Sequence, residues 1–80
     1  MSMDTFHTYR TFTMSEARVV GTDWRSQSGM KVEWTEPVII DRDEALSIIT
    51  AYKVFPHDWL IELEHGGRVS CGNIFLSAWE

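Results

Sequence analysis

The stretch DRDEALSIITAY, Asp41 to Tyr52, constrains this chain more than any other. Asp41 is a good N-cap and Glu44 stands three residues later, the spacing of a capping box. In that arrangement each carboxylate satisfies a backbone N–H that the first helical turn leaves without a partner. Asp43 and Glu44 also suit the positive end of the helix dipole. Ala45, Ile48, Ile49 and Tyr52 follow at helical spacing as one apolar stripe, and Pro56 lies just past the end. A helix of about three turns is marginal alone in water. Its stripe must rest on something, and most of the remaining chain is patterned as strand.

Thr5 to Thr13, rich in threonine and aromatics, reads as a first strand. ARVVGTDW and MKVEWTEP then read as a hairpin around RSQSG. A register pairing Trp24 with Met30, Thr22 with Val32, Val20 with Trp34 and Arg18 with Glu36 collects Trp24, Met30, Val32, Val20 and Trp34 on one side. Val38, Ile39 and Ile40 continue as strand after Pro37. Beyond the helix, IELEHGGRVSC is expected to be a second hairpin with His65, Gly66 and Gly67 at its tip. Leu63 then pairs with Val69 and Ile61 with Cys71, which places Trp59, Ile61, Leu63, Val69 and Cys71 on a buried face. The end of the chain, NIFLSAWE, is too apolar for a free tail and is expected to pack on the core or on another subunit. The expected architecture is one α+β domain spanning 1–80: an antiparallel sheet of about five strands, ordered β-β-β-α-β-β along the chain, with one helix packed on it. A small SH3-like barrel, closed around the tryptophans, is the alternative.

Composition limits the chemistry. Eighty residues with 44% hydrophobic and 12% aromatic content make a globular chain, but one with little room for a deep cleft. A net charge of -5 argues against direct nucleic-acid binding and against anionic membrane, both of which need clustered Lys and Arg. No apolar run approaches a membrane span, and MSMDTFHTYR lacks the basic and apolar regions of a signal peptide. Together with a lone Cys71, this leads to a cytoplasmic expectation.

His7, His57, His65 and Cys71 lack the paired short spacing of metal ligands, so no metal or cofactor is expected. His57 and Asp58, with Ser70 and Cys71 further on, suggest a catalytic constellation only on paper. Adjacent residues of an extended chain point to opposite faces. Gly66 and Gly67 do not lead into a helix N-terminus, as a phosphate cradle requires. Tyr9, Arg10, Phe12, Trp24 and Arg25 are better read as core than as a stacking platform for bases.

What remains is a pattern of acids at expected exposed positions: Glu33, Glu36, Asp41, Asp43, Glu62 and Glu64. Solubility explains such a pattern. The functional reading is a small, acidic, non-enzymatic protein-binding module in which these residues meet a protein partner with a basic surface. In size, acidity and absence of a catalytic motif the chain is similar in type to small inhibitors encoded by phages and mobile elements, such as anti-CRISPR proteins. That likeness implies an inhibitor occupying a basic, nucleic-acid-binding surface of a larger complex, and it carries over no residue. One alternative is a structural subunit or homo-oligomer assembled through Phe75, Leu76 and Trp79. Another is a small-molecule binding protein or small enzyme using His57.

Overall fold

The computed structural model describes residues 8–79. Along the chain come β1 (Thr11–Thr22), β2 (Met30–Trp34), β3 (Val38–Asp41), α1 (Arg42–Tyr52), α2 (Pro56–Glu64), β4 (Arg68–Cys71) and β5 (Ile74–Trp79). All strand pairs are antiparallel, in one five-stranded sheet ordered β2-β1-β5-β4 with β3 also on β1. The α+β class is as expected, but the order is β-β-β-α-α-β-β. Among the described residues no pairing joins the outer strands, so the SH3-like alternative is not borne out.

β1 organises the molecule. Its twelve residues reach about 40 Å at ~3.3 Å per residue. From Thr11 to Met14 it pairs with β3 on one side, and from Thr11 to Glu16 with β5 on the other. From Ala17 to Thr22 it pairs with β2. Thus β2 and β3 lie end to end along the same edge, separated where Pro37 supplies no N–H. Thr35 bridges the break: its N–H donates to the Glu16 carbonyl and its Oγ1 accepts from the Glu16 N–H, both at 2.8 Å. On the other side β5 ends at Ile74 opposite Glu16, and Ala17 N–H donates to the Asn73 carbonyl at 2.8 Å. Beyond that point β1 and β2 continue as a two-stranded arm.

Both helices cover one face of the sheet. Phe12, Ile40, Val69, Cys71 and Leu76 point up from the strands, and Ala45 and Ile49 of α1 with Leu60 and Leu63 of α2 close over them. No polar side chain is buried among the described residues. The expected helix is present with its cap: Glu44 N–H donates to Asp41 Oδ1 at 2.9 Å. Ala45 and Ile49 are buried, whereas Tyr52 at the end of the expected stripe is exposed.

Several expectations need correction. The first strand expected over 5–13 begins outside the described residues. Within them, β1 runs uninterrupted from Thr11 through most of the segment expected as a second strand. The first hairpin pairs Ala17 with Trp34, Arg18 with Glu33, Val19 with Val32 and Thr22 with Met30, with a bulge between Val19 and Gly21. Trp24 belongs to the turn, which closes through Asp23 N–H to the Gly29 carbonyl at 3.1 Å. The longer turn and the bulge reset the register, so Val19, and not Thr22, stands opposite Val32, and Ala17, and not Val20, opposite Trp34.

The second correction is larger. Trp59 to Glu64, expected as a strand, is helix α2, with Pro56 at its start. The His65-Gly66-Gly67 stretch is no hairpin tip; it is the C-terminal cap of that helix. Gly66 N–H donates to the Leu63 carbonyl at 3.1 Å and Gly67 N–H to the Glu62 carbonyl at 2.9 Å. These are the two reversed bonds of a Schellman motif, and Gly66 supplies the required positive φ of 94°. Ile61 and Trp59 are consequently exposed and do not pair with β4. NIFLSAWE, expected to pack on the core or on another subunit, supplies the strand β5 between β1 and β4.

Candidate functional site

The strand registers decide what the helix-free face displays. Phe12 and Met14 of β1 point to the helices, so Thr11, Thr13, Ser15, Ala17 and Val19 point away. Their cross-strand neighbours share that direction: Trp34 and Val32 in β2, Ile39 in β3, and Phe75, Ser77 and Trp79 in β5. Apolar side chains therefore lie on both faces of β5 and β3. Apolar runs of that kind, without alternation, are expected where a sheet is covered on both sides. This chain, in its described residues, covers one.

The uncovered face is apolar and well exposed. Trp34 and Val19 are each 59% accessible, Ile39 58% and Trp79 49%. Trp34 and Phe75 meet edge-on over Ser15, ring centroids 6.2 Å apart at 72°, and frame a hollow of about 240 Å³. One step along β1, Thr13 and Ser77 floor a second hollow of about 430 Å³ walled by Pro37, Ile39 and Trp79. By the same registers Asp41, opposite Thr11 at the end of β3, and Arg68, opposite Ser77 at the end of the edge strand β4, point to this face at its margins. Asp41 is occupied as the helix cap.

The expected contact carboxylates do not gather into one band. Glu33 lies on the arm opposite Arg18, on the reverse of the apolar face. Glu36 sits in the connection between β2 and β3, and Asp43 in the first turn of α1. Glu62 and Glu64 belong to α2, where Glu64 Oε2 accepts from Arg42 Nε at 2.8 Å. That pair joins a cation at the start of α1 to an anion at the end of α2, each at the end of its helix where the dipole disfavours it. Of the residues expected to mediate assembly, Phe75 and Trp79 are on the open face, whereas Leu76 is fully buried beneath the helices.

The catalytic alternative gains no geometry. His57 is exposed on α2, while Ser70 pairs with Phe75 and so faces the opposite side of the sheet. Cys71 is enclosed in the core, and burial pushes its thiol pKa up, opposed by the weaker pull of Lys53. A thiol in that setting is a packing residue. Among the described residues no three His, Cys, Asp or Glu side chains are placed to hold a metal ion. None of the described helices is long and apolar enough to cross a membrane.

The open face was legible in part. IFLSAW shows apolar residues at both parities, the signal of a strand covered on two sides, but the assignment of this segment as an unspecified packed end hid it. No family model, curated protein or solved structure matches this chain.

Proposed function

We propose that this protein is a non-enzymatic protein-binding module that docks through the helix-free face of its sheet. One observation supports this reading above the others: Val19, Trp34, Ile39 and Trp79 are aligned on one face, with Asp41 and Arg68 at its margins, and remain exposed. Exposed apolar patches of this extent are uncommon on soluble monomers, and aromatic anchors dominate the energetics of protein interfaces. Glu33, Glu36, Asp43, Glu62 and Glu64 stand off this face and are assigned to solubility and long-range steering, with Asp41 serving as a cap. An acid-led inhibitor of a basic, nucleic-acid-binding surface would need those carboxylates on one contact surface. Their distribution over arm, connection and helix layer favours the apolar face instead.

The test is affinity capture with the tagged chain as bait, in an extract that also contains untagged chain. Ile39→Lys and Trp79→Lys on the face are compared with charge reversal of Glu33, Glu62 and Glu64. The face substitutions abolish capture and the charge reversals leave most of it. Capture that survives the lysines, or that is lost only with the reversed acids, defeats the reading. So does a bait that retains nothing, untagged copies included.

A further inference from the structure

We infer that the occupant of the open sheet face is a second copy of this chain, giving a two-fold dimer in which the two sheets pack face to face; this rests on the docking reading above. The relief of the face is self-complementary. Trp34 projects beside Ser15 and Ala17, and the larger hollow, floored by Thr13 and Ser77, opens one step along the same strand. Residues two apart on a strand are separated by about 7 Å.

Consider a two-fold axis in the plane between the sheets, crossing β1 at right angles between Thr13 and Ser15. It reverses β1 and lays the Trp34 end of one copy over the hollow end of the other, twice. A projection and a recess side by side on one surface are what an isologous contact requires. Sheets packed this way lie ~10 Å apart with strands about 30° from alignment, which the small residues along β1 permit.

Area and charge agree with a second copy. Trp34, Ile39 and Trp79, which this axis brings into the overlap, expose on the order of 400 Å² in one chain, and the half-buried Thr13, Ser15, Phe75 and Ser77 between them extend the contact toward the ~800 Å² per partner of standard stable interfaces. A chain of net charge -5 repels its own copy, so any self-contact must exclude most of the acids. Of the paired strand residues this face carries one acid, Asp41, which caps α1, and one cation, Arg68 opposite Ser77, so the chain's net charge lies off the contact and offers a hetero-partner selected by charge little to recognise.

Sedimentation equilibrium of the full chain decides the matter, read alongside thermal melting of each variant. At tens of micromolar the wild type sediments at twice 9.3 kDa. Trp34→Ala removes the projection and Ser77→Lys charges the recess; each weakens the dimer by more than about tenfold. Trp34 is exposed, and Ser77, half-buried, faces the open recess and not the core, so each variant keeps its far-UV signal and melts cooperatively as a monomer. Ile61→Lys, on the exposed side of α2, leaves the dimer intact. A wild type that is monomeric at these concentrations overturns the inference, as does a dimer indifferent to both face variants. The docking reading survives either result unless the face lysines also fail to abolish capture, so the two proposals fail separately.

Discussion

Two adjacent glycines show how far a side chain's absence can determine local structure. At Gly66 the requirement is a backbone angle, since φ is 94°. At Gly67 it is space: a Cβ there would lie 2.7 Å from the Glu62 carbonyl oxygen, the acceptor of the bond that ends α2. Gly29, in the turn of the arm, also has positive φ but has open space around it. Gly67→Ala is therefore expected to cost about 2 kcal/mol, because cap and carbonyl must both shift, and Gly29→Ala about 1 kcal/mol. Urea unfolding monitored by far-UV circular dichroism compares them; equal losses would show that the close approach is relieved without strain. The same residues explain the main misreading of the sequence. Gly-Gly between apolar segments is shared by hairpin tips and helix C-caps, and Trp59, Ile61 and Leu63 happen to alternate. Pro56 at a helix start, and Leu60 with Leu63 three apart, carried the opposite signal.

Elements differ in how much of their stability is local. Asp41, Glu44, Ala45 and Ile49 act within one helix, so α1 was legible with its cap, and Val69 and Cys71 were placed correctly in the core by strand alternation alone. Pairings set by distant residues were not legible. Where β1 passes the end of β5 it is clamped by Asn73, whose Nδ2 donates to Glu16 Oε2 at 3.2 Å and to the Ala17 carbonyl at 3.1 Å, 56 or more residues away. Beyond this clamp the arm has only its own ladder, and isolated two-stranded ribbons are marginal in water. Amides of Arg18 to Thr22 and Met30 to Trp34 in the monomeric Ser77→Lys variant should exchange about 100-fold faster than those of Phe12 and Leu76. Hydrogen exchange read by mass spectrometry checks this, and uniform protection would show that arm and core open as one unit.

For the molecule as a whole, the question is why so acidic a chain keeps an exposed, aromatic face with charge only at its margins. A sheet between two layers explains both: helices on one side, a second sheet on the other, and acids at the remaining surfaces where water solvates them. The sign of the salt effect distinguishes this from an acid-led grip. Between two copies of like charge, screening removes repulsion, so the dimer is expected to tighten severalfold from low salt to ~0.5 M. Docking of Glu33, Glu62 and Glu64 on a basic surface would weaken over the same range. Sedimentation at both ionic strengths measures the direction, and weakening would refer the contact back to the acids. The seven residues from Asp23 to Gly29, meanwhile, close on their own hydrogen bonds at the far end of the ribbon, with Trp24 the most accessible large apolar side chain among the described residues. They form a natural handle: a peptide tag spliced between Gln27 and Ser28 would hang clear of the helical layer, giving a grip on the protein that leaves its folded body untouched.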